Sequence, residues 1–253
     1  MNDADSLIEH QVAQPRALAS AQVLNIWEER RSQTMTRRAL ALLDASLPKD
    51  DAASMADLPI GMRDRLLLRL RAACFGETFE CLCTCPDCGE TVEFTLAVSD
   101  LVATMGNAPR GHGHLDLDGR QIGLRPVTSR DLLALEGRGS EEIVLRLIER
   151  CIDGVENRAS DLSTSEAGRL SEALAELDPG ADLKLSLTCP DCGAAWNSPF
   201  DIASYLWTEV EMAARRLLPE VHALASSYGW SEKEILALSP ARRRSYIALL
   251  GAH

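Results

Sequence analysis

Two short cysteine turns have the clearest chemistry in this sequence. Cys85-Pro86-Asp87-Cys88-Gly89 and Cys189-Pro190-Asp191-Cys192-Gly193 repeat the same five residues. A turn of this kind brings two thiolates and several backbone amides to one point, and glycine adopts the left-handed backbone that closes it. Each turn supplies two sulfur ligands and a tetrahedral Zn²⁺ ion takes four. The pair therefore predicts one zinc site, formed by Cys85, Cys88, Cys189 and Cys192.

About 100 residues separate the two turns, whereas ordinary zinc ribbons separate theirs by roughly 15 to 20. A shared site is still favoured, because the second turn has no other cysteine or histidine within 25 residues. The closure entropy of a loop grows only with the logarithm of its length, so a long insertion is tolerated. Four cysteine ligands leave no open coordination position, which predicts one structural ion per chain rather than a catalytic one.

The other four cysteines are predicted to have no metal role. Cys81 and Cys83 precede the first turn in a predicted strand, where same-face neighbours are about 7 Å apart. Sulfurs that share a tetrahedral zinc are about 4 Å apart, so three successive strand cysteines do not converge on it. Cys83 is kept as the one alternative ligand. Cys74 and Cys151 are predicted to be ordinary buried residues.

Two other kinds of protein use a similar motif. A thiol-redox enzyme needs Cys-Pro-x-Cys at a helix N-terminus, where the helix dipole lowers the pKa of a thiol. Here β-favouring residues follow both turns, at 91–94 and 194–197, so this enzyme is the second alternative. The first alternative is a zinc-ribbon regulator that acts on the transcription machinery through protein contacts. We predict that the basic triplet Arg242-Arg243-Arg244 is a solvated helix face.

The elements around the turns predict an α+β fold that is mostly helical. The turns join predicted strands 78–84 with 91–96 and 183–188 with 194–200, which form a split zinc ribbon. The predicted segments are a polar tail (1–14), N-terminal helices (15–76), the two halves of the ribbon (77–97 and 182–201), an acidic mixed α/β insert (98–181) and C-terminal helices (202–253).

Two predicted helices have strong apolar periodicity. In the helix at 62–74, the apolar face lies opposite Arg65 and Arg69. The run at 202–228 keeps helical spacing for about seven turns, and Pro219 predicts a kink or a split in it. The aromatic residues of the C-terminal segment are candidate anchors for protein contacts, with core packing as the alternative. They are Trp207, Tyr228, Trp230 and Tyr246.

Composition restricts the partners of this chain. Its 253 residues carry 26 basic and 38 acidic side chains, for a formal net charge of −12. This charge disfavours nucleic acid and anionic membranes as partners. We find no apolar stretch long enough to cross a bilayer, and the first residues lack the pattern of a signal peptide. A reducing cytoplasm is therefore the expected compartment, where clustered cysteines favour metal over disulfides.

No set of residues predicts catalysis. The sequence has no phosphate-binding loop, no glycine-rich dinucleotide turn and no serine–histidine–aspartate pattern. Its carboxylates are scattered over predicted helix faces, where solvation accounts for them. We therefore predict that the protein is not an enzyme and has no small-molecule substrate.

Several motifs, in this order along residues 58–250, resemble the baseplate hub and hub-assembly proteins of contractile-tailed phages and related contractile injection systems. The resemblance rests on the order of the cysteine turns and their flanking helices rather than on the turns alone. The motifs are Gly61-Met62-Arg63-Asp64-Arg65-Leu66, Phe75-Gly76, the two cysteine turns, Phe200-Asp201, Tyr205-Leu206-Trp207 and Tyr228-Gly229-Trp230-Ser231.

The resemblance implies a non-enzymatic structural or assembly protein of a contractile-tail baseplate. Such a protein would be made in the bacterial host cytoplasm and bind other baseplate or tail proteins. The resemblance leaves open whether it stays in the finished virion or injection particle. The only residues it carries over are the four turn cysteines, as metal ligands.

Overall fold

The structure, a computed structural model, describes residues 14–48, 55–106, 109–153 and 162–251. Most of them are helical and the rest include small antiparallel sheets, so the predicted α+β class is confirmed. Residues 1–13 of the predicted polar tail lie outside the described part. The helices are α1 (Ser20–Arg30), α2 (Met35–Ser46), α3 (Ile60–Phe75), α4 (Val98–Thr104), α5 (Ser129–Ala134), α6 (Ser140–Cys151), α7 (Thr164–Leu177), α8 (Ile202–Tyr228), α9 (Glu232–Ala237) and α10 (Pro240–Leu250).

The strands form three small antiparallel sheets in the described residues. They are the hairpin β1 (Thr78–Thr84) with β2 (Thr91–Ala97), the three-stranded sheet β3 (Gly113–Leu117), β4 (Arg120–Leu124) and β5 (Ile152–Asp153), and the hairpin β6 (Lys184–Thr188) with β7 (Ala195–Pro199). Both predicted cysteine hairpins are therefore present. Helix α4 and strand β5 were not predicted, because both are short and carry no clear period.

The main hydrophobic core joins the two ends of the chain. The long helix α8 packs against α1, α2 and α3. Leu42, Leu43, Leu66 and Leu206 have no exposed surface in this core. Burial of large aliphatic side chains is the dominant favourable term in folding, so the N- and C-terminal helices form one packed unit.

Helix α3 is buried on almost all sides, which differs from the predicted two-faced helix. Arg63, Arg65 and Arg71 are each less than 10% exposed. Each guanidinium has an internal partner: Arg63 pairs with Asp64 at 2.7 Å, and Arg65 donates to the backbone oxygen of Gly106. Helical periodicity identified the apolar face, but it cannot show that a second layer of structure covers the opposite face.

Helix α8 runs from Ile202 to Tyr228 without interruption, with Pro219 inside it. We predicted a kink or a split at Pro219, and the split does not occur. Leu217 and Leu224 are buried on either side of the proline, and Leu217 belongs to the main core. Tertiary packing thus outweighs the local cost of the missing hydrogen bond.

The residues between the two hairpins have a hydrophobic core of their own. Leu117, Leu124, Ile148 and Leu170 are almost completely buried in it. An Asp118-Gly119 turn joins β3 to β4, with both residues at positive φ, 53° and 84°. The insert is therefore a packed unit between the hairpins. The predicted segment boundaries themselves remain a prediction.

Candidate metal centre

The two cysteine turns close the tips of the two hairpins in the same way. In the first, the Cys85 N–H donates to the Glu90 oxygen at 2.8 Å, and the Gly89 N–H donates to the Cys85 oxygen at 3.0 Å. The second repeats these bonds at 2.8 and 3.0 Å, with Cys189 in the place of Cys85. Gly89 and Gly193 have φ of 76° and 74°, a conformation that strongly favours glycine.

The tips of the two hairpins meet, although they are about 100 residues apart in the sequence. All four turn sulfurs lie within 4.8 Å of one another, and together they could hold a metal ion. The Cys85–Cys192 and Cys88–Cys189 sulfur pairs are both 3.7 Å apart. In a tetrahedron with metal–sulfur distances near 2.3 Å, two sulfurs are about 3.8 Å apart. The spacing of the thiols therefore fits such an ion.

One side of this cluster is buried and the other faces solvent. Cys85 and Cys189 are each 1% exposed, whereas Cys88 and Cys192 are exposed. Val92 and the partly buried Phe94 and Trp196 pack beneath the buried pair. This apolar floor excludes water from half of the cluster.

Backbone amides in the first turn favour a thiolate. Hydrogen bonds from the N–H groups of Cys88 and Asp87 lower the pKa of the Cys85 thiol to about 7, although burial of the group opposes this shift. Metal ligation requires the deprotonated sulfur. The turn therefore prepares this side chain electrostatically to act as a ligand.

The bases of the two hairpins are held together by aromatic rings. Phe79 of β1 is completely buried and packs edge-on against Phe200, which follows β7, at a ring distance of 5.6 Å. Tyr205 of α8 packs against Phe79 at 5.0 Å and donates a hydrogen bond to the backbone oxygen of Glu80. The hairpins are thus joined at their bases without the four cysteines.

A buried ion pair supports this base. Arg71 of α3 contacts both carboxylate oxygens of Glu209 on α8, at 2.7 and 2.9 Å. Its guanidinium also donates to the backbone oxygens of Gly76 and Thr78, and lies 4.0 Å from the Phe79 ring centre. The two charged residues are 138 positions apart, so no sequence period could have indicated this contact.

The remaining cysteines lie outside the cluster of four. Cys81 and Cys83 are partly buried residues of β1, as predicted, and neither belongs to the group that could hold an ion. Cys151 is completely buried. Cys74 is only partly buried, and its sulfur accepts a hydrogen bond from the Leu18 N–H at 3.3 Å.

The candidate contact residues divide into two groups. Trp207 is 3% exposed and belongs to the main core, so it is not a surface anchor. Tyr228, Trp230 and Tyr246 instead form an aromatic cluster at the far end of α8, which keeps some exposed surface.

In the basic triplet, Arg243 is 2% exposed, so only Arg242 and Arg244 form the predicted solvated face.

Comparison with known protein families matches residues 19–207 to the family described as T4 bacteriophage base plate protein. The matched part contains the N-terminal helices, both cysteine hairpins, the insert and the first turns of α8. It covers well over half of the chain, and the protein belongs to this family. The resemblance to phage baseplate proteins is therefore confirmed, without specific support for hub assembly.

No curated protein and no solved structure matches the chain. Among the helices of the described residues, none is both long and apolar enough to span a lipid bilayer.

Proposed function

We propose that this protein is a non-enzymatic structural or assembly component of a contractile-tail baseplate, and that one zinc ion bound by Cys85, Cys88, Cys189 and Cys192 fastens its two hairpins. The observation that carries the proposal is the meeting of the two turns in a chain of the base plate family. Its activity would be contact with other baseplate or tail proteins. The protein would be located in the host cytoplasm during assembly and later in the baseplate of the particle.

The donor set favours zinc in a structural role. Four thiolates in tetrahedral spacing suit Zn²⁺, and a complete set of protein ligands leaves no position for a substrate. Bound zinc would supply no reaction here. It would add the free energy of four metal–sulfur bonds to folding.

The surroundings of the turns argue against the thiol-redox alternative. Each turn lies between two strands, so neither pair of thiols sits at a helix N-terminus. The helix dipole that activates such enzymes is therefore missing from both turns. The family match points to the tail baseplate, so it does not favour the transcription-regulator alternative.

The test combines metal analysis with three cysteine variants. We expect one zinc per chain in protein purified under reducing conditions. Cys85→Ser and Cys189→Ser should each abolish zinc binding and lower the free energy of unfolding equally, by about 4 kcal/mol or more, because both break one tetrahedron.

Cys83→Ser is the matched control, since Cys83 lies in the same hairpin but outside the cluster. It should keep the zinc and lose little stability. Two zinc ions per chain, or unequal losses in the two ligand variants, would contradict the proposal. A chain that reduces disulfide substrates and tolerates Cys189→Ser would instead support a redox enzyme.

A further inference from the structure

The hairpin β1–β2 carries an exposed apolar residue among carboxylates. Leu82 is 69% exposed, the most exposed of the large apolar residues in the described part of the chain. Glu93 is its cross-strand partner, and Glu80 lies two residues earlier on the same face. Both glutamates are exposed. We call Glu80, Leu82 and Glu93 the acidic hairpin face.

The charged side chains of this hairpin are all acidic. Residues 77–97 contain five carboxylates and no basic residue. Four thiolates around a divalent ion would add further negative charge at its tip. The acidic hairpin face therefore fits a surface that offers apolar contact surrounded by arginine or lysine.

A surface of that kind lies at the other end of the same molecule. Tyr228 and Trp230 stack at 4.8 Å, and Tyr246 packs edge-on against Trp230 at 4.9 Å. On α10, Arg242, Tyr246 and Leu249 lie on one stripe at successive turns, and Leu249 is 56% exposed. We call Tyr228, Trp230, Arg242, Tyr246 and Leu249 the arm patch.

The arm patch is basic. Helix α10 contains three arginines and no carboxylate. Arg243 is used internally, in an ion pair with Glu220 at 2.8 Å. Arg242 and Arg244 are exposed, and in the described residues neither guanidinium has an ion-pair partner. Arg242 belongs to the arm patch, whereas Arg244 lies about 200° around the helix from it and outside the patch. Arginine, tryptophan and tyrosine dominate the energetics of protein interfaces.

The two surfaces of one copy are too far apart to touch. The Tyr205 hydroxyl bonds the Glu80 oxygen at 3.1 Å, which places the hairpin face beside the first turn of α8. Tyr228 is the last residue of that helix. The 23 residues between them rise about 35 Å at 1.5 Å each. Any pairing of these surfaces therefore joins different molecules.

We propose that the arm patch of one copy docks on the acidic hairpin face of a second copy. Leu82 packs against Leu249 and the aromatic cluster, while Arg242 faces Glu80 and Glu93. Because the two surfaces differ, the contact is head-to-tail and can be repeated from copy to copy. The arm patch lies beyond residue 207, outside the part of the chain that matches the base plate family. Docking between copies is a property separate from the zinc that fastens the two hairpins of one copy.

The test is sedimentation velocity of the purified, metal-loaded protein over a range of concentrations. At low ionic strength the average sedimentation coefficient should rise with concentration, and it should return to the monomer value at high salt, since salt screens exposed charges. Arg242→Glu should weaken the association about tenfold or more. Leu82→Ser should weaken it without any change of charge.

A mixture of two variants is the decisive measurement. Glu80→Arg with Glu93→Arg makes both surfaces of one variant basic, and Arg242→Glu makes both surfaces of the other acidic. Neither variant should associate alone, and the equimolar mixture should. The matched control is Arg244→Glu, which changes the net charge as much as Arg242→Glu does, at an exposed position on the opposite side of α10.

Three results would overturn the proposal: a parent protein that stays monomeric at low salt, a mixture that does not associate, or a control that weakens association as much as the arm variant. A monomeric parent would leave another baseplate protein as the occupant of these surfaces. Metal content and far-ultraviolet circular dichroism of each variant separate a lost contact from a lost fold, and so from a failure of the zinc proposal.

Discussion

The first turn of α3 is held by a side chain that lies 117 residues later in the chain. Asp178 accepts a hydrogen bond from the Gly61 N–H at 2.7 Å, where a helix N-terminus leaves backbone donors without partners. A Cβ atom at position 61 would lie 2.0 Å from the other Asp178 oxygen and 3.0 Å from the backbone of Gly180. Only glycine allows this close approach between α3 and the end of the insert.

Gly61→Ala should therefore destabilise the protein by about 1–3 kcal/mol, although alanine is the better helix former. Equilibrium unfolding in urea measures the change. Gly168→Ala is the matched control, because Gly168 is an exposed residue of α7 with open space around its Cα. That variant should gain about 0.5–1 kcal/mol. A neutral or stabilising Gly61→Ala would contradict this account of the contact.

Asp131 is a second residue whose partners come from outside its own helix. Its buried carboxylate accepts bonds from Arg125 at 2.7 Å, from Arg150 at 2.9 Å and from the Thr128 hydroxyl at 2.8 Å. Burial acts to raise the pKa of Asp131, but the hydrogen bonds from Arg125 and Thr128 outweigh it and lower the pKa from 3.8 to about 2. The ionised carboxylate therefore stabilises the fold above the ordinary pKa of aspartate.

Asp131→Asn should cost about 2–3 kcal/mol near neutral pH. A lowered pKa gives stability that is lost as the pH falls, so the difference between variant and parent should shrink from about pH 4 toward pH 2. Urea unfolding at several pH values measures this difference. Asp44→Asn, at an exposed position of α2, is the control and should cost little stability near neutral pH. A loss that does not depend on pH would show that the charge is not the cause.

At the scale of elements, one buried arginine fastens the C-terminal helices to the core. Arg243 of α10 pairs with Glu220 of α8 at 2.8 Å and donates to the Ser20 hydroxyl of α1 at 3.0 Å. It also donates to the backbone oxygen of Leu238. A single side chain thus joins α10 to α8 and to the first helix of the chain. Losing one partner of a buried ion pair leaves the other charge without compensation.

Arg243→Ala should cost about 3–5 kcal/mol of stability and release α10. Hydrogen exchange of α10 amides and limited proteolysis after α8 measure the release. Arg242→Ala is the control, since the neighbouring arginine is exposed, and it should leave both readouts unchanged. Equal effects of the two variants would mean that the buried pair does not hold the helix.

At the scale of the whole molecule, the four cysteines connect residues that the insert separates. Chelation of the ion should loosen the tips of both hairpins together, because each tip supplies two of the four ligands of the shared ion. The bases should remain packed, since Phe79, Phe200 and Arg71 hold them independently. Lowering the pH should release the metal in the same way, because protons compete for the thiolates.

Hydrogen exchange measured with and without chelator tests this coupling. Amides around Val92 and Leu187 should lose protection together, whereas amides of α1 and α2 should keep theirs. Cys83→Ser protein should respond as the parent does, and Cys85→Ser protein should already exchange fast without chelator. Loss of protection in only one hairpin would contradict a shared ion.

The local chemistry of this protein can be read from short stretches of its sequence. The two cysteine turns and their hairpins were predicted, and the structure has both. The capping boxes at Ser163 and Ser231 likewise follow from a local Ser-x-x-Glu pattern. The reason is physical: a tight turn or a helix cap is formed by side chains and backbone within a few residues. The four candidate ligands followed from the same local pattern and from counting the sulfurs that one ion needs.

Contacts between residues that are far apart in the sequence became visible only in the tertiary structure. It buried the arginines of α3, placed Asp178 against Gly61, carried α8 through Pro219 and brought the two cysteine tips together. These contacts join positions that are often more than 100 residues apart, and no helical or strand period encodes such a pairing. They form because the packed core sets where the elements lie relative to one another. A buried charge needs a partner, and the packing places that partner beside it.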